Sequence, residues 1–158
     1  LKTVCDRHDP AYYPRFKAWA DDYFFSPHRA ETRGIGGIFF DNLKVSEELG
    51  SERSFDFVKE VAEAFSPTYI ALITNSIGLD FGEKEKRWQL LRRGRYVEFN
   101  LVHDRGTKFG LETNGRTESI LMSLPPLASW AYDYQPEPGS EEAKTLGWLR
   151  KGIDWAAS

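Results

Sequence analysis

The amino-acid sequence predicts an α+β domain in which an antiparallel β-meander is flanked by helices. Three observations carry that reading. Over residues 96–101 apolar side chains alternate, with Val97, Phe99 and Leu101 on one face and Tyr96, Glu98 and Asn100 on the other, the period of a half-buried strand. Further on, Asn114-Gly115 is the strongest short hairpin signal a sequence offers. Near the start, Phe16, Trp19, Ala20 and Tyr23 recur at i, i+3, i+4 and i+7 behind Pro14, the apolar stripe of an amphipathic helix opened by a proline.

Taken in order, the helix over residues 14–24 turns its aromatic stripe to the core, and residues 26–33 form a polar connector. Residues 34–41, GIGGIFFD, follow as a strand whose glycines allow close backbone approach. A dinucleotide-binding loop would have to follow a strand and open a helix. Here a basic loop precedes the glycines and a β-rich run follows, so that reading is weak. Residues 43–50 read as an acidic loop. Ser54 is placed to cap a helix carrying Phe57, Val58, Val61, Ala62 and Phe65 inward and ending at Ser66-Pro67. Residues 69–77 are apolar enough for a second buried helix. A third, over residues 83–93, has Glu83 and Glu85 in its first turn and Arg92 and Arg93 in its last, as the helix dipole favours.

The meander comes next. Strand 96–101 leads through an Asp104-Arg105-Gly106 turn to strand 107–113, with Phe109 and Leu111 in phase. The Asn114-Gly115 turn then leads to strand 116–124, with Ile120, Met122 and Leu124 on one face. Pro125-Pro126 ends the pairing, since proline donates nothing to a ladder. Residues 128–138 are an irregular aromatic stretch. Ser140 caps a last helix over residues 141–150, with Ala143, Leu146 and Leu149 inward and Gly152 as its stop, and Trp155 docks the terminus.

Composition narrows the function classes. At 158 residues, 41% hydrophobic and 15% aromatic, the chain is long and apolar enough for one packed domain and not for disorder. A formal charge of −3 argues against general nucleic-acid binding, so an anion site must come from arginines gathered locally. The run RRGRYVEF has the look of a single-strand RNA platform, which the acidic total makes a poor fit. The single Cys5 excludes an internal disulfide framework and fits a reducing compartment. No apolar run is long enough for a bilayer, and Leu1 at the start leaves room for a targeting segment upstream.

Charge is concentrated at the ends of the predicted strands. Arg92, Arg93, Arg95, Arg105 and Arg116 lie there, where guanidinium forks suit a ligand bearing several carboxylates. Asp104 stands among them as a lone acid, able to accept hydrogen bonds from a cluster of N–H donors.

GRYVEFNLVHDRGTKFGL and NGRTESILMSLPP, with HRAETRGIGGIFFDNL and YYPRFKAWADDYFF upstream, closely resemble the oxygen-dependent coproporphyrinogen III oxidases of haem biosynthesis. The resemblance covers essentially the whole chain but about the C-terminal half of the family's pattern. It implies a single domain over residues 1–158 that is the C-terminal portion of a larger coproporphyrinogen oxidase sandwich whose N-terminal half is absent. It also implies oxidative decarboxylation of coproporphyrinogen III to protoporphyrinogen IX with molecular oxygen and no organic cofactor. A homodimer through about residues 96–131 follows from it, for which exposed meander edges would be pairing surfaces. So does a cytoplasmic location, or a mitochondrial one if a leader precedes Leu1. Because the absent half carries the family's proton-donor histidine, the chain alone is expected to be inactive.

Residue by residue, Asp104 and Arg105 match the family's catalytic Asp-Arg-Gly turn, and Asn114, Gly115 and Arg116 match its substrate-binding loop. His28 sits where the family has a histidine linked to dimer formation and sometimes assigned to a divalent metal. Neither His8 nor His103 has a recognisable ligand spacing with it, so a structural or interface role is preferred and no metal is assigned. Arg29 and Arg33 are placed to hold propionates, or equally to pair with Asp21, Asp22 or Glu31. The bland alternatives are an Asx-type turn at Asp104 and an ordinary hairpin at Asn114. In a flat meander those two turns stand roughly 23 Å apart at about 3.3 Å per residue, wide for one macrocycle. A coiled sheet, a bulge or two separate sites would each account for that. A porphyrin-binding module without chemistry is the alternative function.

Overall fold

In the computed structural model, which describes residues 1–41, 43 and 50–157, the chain is mostly helical with a small two-stranded antiparallel sheet, an arrangement compatible with α+β. The described residues fall into two compact units. One is built from Leu1–Tyr23, Gly36–Asp80 and Lys151–Ser158, the other from Phe24–Ile35 and Phe81–Arg150.

The first unit is an aromatic cluster held by three helices, α1 (Lys2–His8), α2 (Tyr12–Tyr23) and α3 (Gly50–Thr74). The predicted stripe of α2 holds in part: Phe16 and Ala20 are buried and Tyr23 is half-buried, but Trp19 is exposed; Pro14 sits in the first turn, where a missing N–H costs no helical bond. Phe16 packs among Tyr12, Phe40 and Phe57, with ring centroids 4.9, 5.0 and 5.9 Å away. Phe16 and Phe57 are both fully buried, and two such rings exclude a large apolar surface from water. Residues 38–41 lie beside α2 without regular structure, with the Phe39 N–H donating to the Phe16 carbonyl at 3.1 Å, so the predicted strand over residues 34–41 is an unpaired segment. Gly36 has φ +63, and a Cβ there would meet the Trp155 ring at 3.2 Å, so this glycine admits the docked C-terminal tryptophan.

Helix α3 corrects two expectations. Ser54 lies inside it rather than at its start, and Pro67 does not end it. One lost backbone hydrogen bond at Pro67 is tolerated because intact turns continue on both sides. Phe65, Tyr69, Ile70 and Leu72, expected inside, are exposed. The predicted acidic loop falls largely outside the described residues.

The second unit is built on α4 (Glu83–Val102), about 30 Å long at 1.5 Å per residue. The Glu85 carboxylate accepts from the Gly82 N–H at 2.8 Å to close the first turn. The predicted helix over residues 83–93 therefore runs straight through the predicted first strand. Six residues of alternation do not displace a helix nucleated upstream, which gains one bond for each residue added. Leu91 and Phe99 lie two turns apart on its buried face, and Leu101 is left exposed.

The other two predicted strands are also helical. Asp104 caps α5 (Arg105–Glu112), its Oδ2 accepting from the Thr107 N–H at 2.8 Å and the Thr107 hydroxyl at 2.9 Å. Asn114 takes φ +55 and the Gly115 N–H donates to the Gly110 carbonyl at 2.9 Å, the six-to-one bond of a left-handed helix stop. An Asn-Gly pair serves that stop as well as it serves a hairpin. Gly110 and Gly115 leave a bare seat for Ile120 of α6 (Thr117–Ile120), which a 3-10 turn at Leu121–Ser123 extends before the prolines. The meander and its pairing edges are thus absent from the described residues.

Two short strands, β1 (Phe25–Ser26) and β2 (Glu31–Thr32), pair antiparallel where a connector was expected, with residues 27–30 as their loop. The Thr32 N–H donates to the Leu149 carbonyl at 2.9 Å, tying the hairpin to the end of α7 (Glu141–Trp148), whose Ser140 cap forms as predicted.

Gly94 lies where residues 129–130 cross α4: a Cβ there would overlap the Ser129 carbonyl oxygen. Gly94→Ala should therefore destabilise by about 1–3 kcal/mol from overpacking, outweighing a helix-propensity gain of about 1 kcal/mol. A urea midpoint that rises instead would show that this crossing is looser than described.

Candidate functional site

The densest charge network in the second unit centres on Glu98, and it exists because α4 is a helix there. Arg92, Arg95 and Glu98, at i, i+3 and i+6, share one face toward the β1–β2 loop. From that loop Arg29 grips Glu98 with both sides of its fork, Nε to Oε2 at 2.8 Å and Nη2 to Oε1 at 2.5 Å. His28 Nε2 lies 3.1 Å from Oε2, Trp130 Nε1 donates to Oε1 at 2.8 Å, and Arg95 Nη1 donates to Oε1 at 3.4 Å. Those donors hold the Glu98 carboxyl well below its usual range, down to about 2, chiefly through the Arg29 hydrogen bond and against the opposing effect of burial.

A second carboxylate stands beside it. Glu31 of β2 accepts two hydrogen bonds from Arg92, at 3.0 and 3.2 Å, and Arg95 Nε lies 3.9 Å away. Arg95 thus lies between two carboxylates that other arginines already hold. Burial, then repulsion from Arg29, lower its pKa from the usual value. Next to these groups opens a cavity of about 290 Å³, lined by Arg29, Arg92 and Arg95 and walled by Trp88, Leu91 and Tyr134. A partly apolar hollow with fixed guanidinium forks on one side is suited to an organic carboxylate.

The sequence-predicted site residues separate. His28 and Arg29 line the cavity. Arg29 pairs with Glu98, and not with Asp21, Asp22 or Glu31, which were the alternative to its holding a propionate. The Arg33 guanidinium lies over the rings of Phe24, Tyr96 and Phe99, at 4.1, 5.3 and 5.2 Å. Asp104 and Arg105 begin α5 just beyond His103, whose Nε2 lies 3.1 Å from His28 Nδ1. No local sequence spacing signals that histidine contact. Asn114, Gly115 and Arg116 lie at the far end of α5 and are not among the cavity lining; Arg116 is 81% exposed, with Glu118 3.9 Å away. The eight-residue helix between the two turns rises only about 12 Å, about half the span a strand would impose.

No group of three or more metal-ligating side chains converges among the described residues. His28 faces Glu98 with one ring nitrogen and His103 with the other. Sequence reasoning missed Glu98, His103 and Trp130. The helical spacing of Arg92, Arg95 and Glu98 was the available signal, hidden by the alternation of Val97, Phe99 and Leu101.

The sequence profile of the family described as coproporphyrinogen III oxidase matches residues 1–155. The chain belongs to the coproporphyrinogen III oxidase family. A protein of Drosophila melanogaster named oxygen-dependent coproporphyrinogen-III oxidase is 54% identical over 156 residues, 98% of this chain and 39% of that relative. One of the same name from Francisella tularensis subsp. holarctica (strain LVS) is 51% identical over 154 residues, 98% of this chain and 49% of its own length. The chain therefore spans between about two fifths and one half of these family members.

Because the folded carboxyl of Glu98 is depressed from 4.5 to about 2, its contribution to stability is fully present above pH 4.5 and is lost as pH falls toward 2. Glu98→Gln should therefore unfold at lower denaturant than the parent at pH 6, with the gap closing between pH 4.5 and 2. A gap that stays constant across that range would place the charge elsewhere.

Proposed function

We propose that this chain is part of an enzyme that oxidatively decarboxylates coproporphyrinogen III to protoporphyrinogen IX with molecular oxygen, in haem biosynthesis. Membership of the family carries this reading, and the arginine-lined hollow supports it: the substrate is a tetracarboxylate, and guanidinium forks are the side chains that hold carboxylates in pairs of hydrogen bonds. Each of two propionates becomes a vinyl group. It loses carbon dioxide, two electrons and one proton, which with a second proton from solvent reduce oxygen to hydrogen peroxide, so no organic cofactor is required.

In this proposal Asp104 gathers the pyrrole N–H donors and takes a pyrrole proton, making the ring electron-rich enough to reduce oxygen. Its place at the cap of α5, held by Thr107, supports a fixed orientation. Arg105 stands beside it, and the Asn114-Gly115-Arg116 turn presents backbone amides and one guanidinium to a propionate. Arg29 and Arg33 complete the rim contacts, and His28 orders the loop beside the dimer contact. We further infer a homodimer through about residues 96–131. Apolar side chains exposed there, Phe109, Met122 and Leu127, support a contact made by helix faces in place of the expected strand edges. None of the helices among the described residues is long and apolar enough to cross a membrane, and we place the activity in the cytoplasm, or in mitochondria behind a leader. The family sandwich, in this reading, is assembled only with the rest of the longer protein.

Oxygen uptake and carbon dioxide release test the proposal. A protein of the relatives' full length should turn over, this chain alone should bind porphyrin with little or no turnover, and Asp104→Asn in the longer protein should lose about 100-fold or more in rate. Robust turnover by the short chain, or an Asp104→Asn variant of ordinary rate, would overturn it. Porphyrin binding with no oxygen uptake by the longer protein would favour a carrier.

A further inference from the structure

We propose that Arg95 is the carboxylate-selecting residue of the α4 cavity, and that the cavity seats one carboxylate arm together with the single ring that bears it. The inference rests on the proposed function for the identity of the substrate, but not for the chemistry of the seat.

Arg29 and Arg92 each hold a carboxylate with two hydrogen bonds, on Glu98 and Glu31. Arg95, 14% exposed, has only a long contact to each, 3.4 Å from Nη1 and 3.9 Å from Nε, and its Nη2 donates no hydrogen bond among the described residues. The spare donors of this guanidinium face an open hollow. Its two neighbours cannot turn to satisfy it, because each is fixed by its own arginine.

The walls define the ligand. Trp88 and Tyr134, with ring centroids 5.9 Å apart and tilted by 34°, stand with Leu91 and Leu146 around the hollow. Such walls suit a flat ring with a short aliphatic arm better than a strongly hydrated phosphate. At about 290 Å³ the hollow lies at the small end of ligand pockets, enough for one pyrrole and its propionate and not for a whole macrocycle. The remaining rings must therefore lie outside it. Asp133, which also lines the hollow, accepts from Gln135 Nε2 at 3.0 Å and adds a negative charge that weakens the seat for a second anion. One arm is what the charges allow.

Binding of coproporphyrin III, the unreactive oxidised tetracarboxylate, to this chain tests the assignment, with its tetramethyl ester and inorganic phosphate as comparison probes. Arg95→Met should weaken coproporphyrin binding about tenfold or more, the loss expected for a charge-assisted pair. It should leave the weaker binding of the ester unchanged. Arg95→Lys should recover only part, lacking the fork, and the exposed Arg87→Met should match the parent. In the unaltered chain the Arg95 Nε–H resonance should shift on adding coproporphyrin, a readout that does not depend on any variant folding. Binding by Arg95→Met within twofold of the parent, an unmoved resonance, or displacement by phosphate at equal concentration would each overturn the proposal. Arg95-dependent binding in a longer protein without turnover would sink the enzymatic reading alone, and Arg95-independent binding with intact turnover would sink this one alone.

Discussion

A carboxylate with little access to water stays charged only if donors surround it, and Glu98 is the point at which this chain meets that requirement. Its side chain is 15% exposed, and it receives hydrogen bonds from an arginine, a tryptophan and a second arginine and lies against a histidine. These partners come from three separate stretches: the β1–β2 loop, α4 itself, and the segment after the double proline. The demand of one buried charge therefore gathers the second unit's irregular parts onto one helix face. Removing Glu98 would take a partner from four cationic or hydrogen-bonding groups at once, which is costlier than the loss of one contact.

The same arrangement explains how an acidic chain can offer an anion site. A net charge of −3 forbids a broad basic surface, yet two carboxylates placed between three arginines fix the forks while neutralising most of their charge. What remains is local and directional. It belongs to Arg95, whose fork the resident carboxylates satisfy only in part. A site of this kind selects by geometry as much as by charge, as a rim of several carboxylates on one flat ligand requires.

Some of this was legible in the sequence, and the parts that were not have physical reasons. The Ser140 cap and the burial of Phe16 and Ala20 on the α2 stripe are local signals, read within one or two turns, and both formed as expected, whereas Trp19 of the same stripe is exposed. Asp104 and Asn114-Gly115 were rightly placed as points where the chain changes direction, but a polar side chain accepting from the residue three ahead, or an αL residue before glycine, serves a helix end as well as a hairpin. The alternation of Val97, Phe99 and Leu101 fitted a strand because the helical stripe beside it is charged, and apolar periodicity does not see Arg92, Arg95 and Glu98. The meeting of His28 with Glu98 spans 70 residues of sequence, and no local pattern encodes it.

The central claim is that the Glu98-held arginines receive a ligand carboxylate. The most direct measurement is a crystal structure of the chain soaked or co-crystallised with coproporphyrin III. The account predicts a propionate oxygen within hydrogen-bonding distance of Arg95 Nη2, its pyrrole against the wall formed by Trp88 and Tyr134, and Arg29 still paired with Glu98. Density for the porphyrin elsewhere, with Arg95 facing only water, would contradict it.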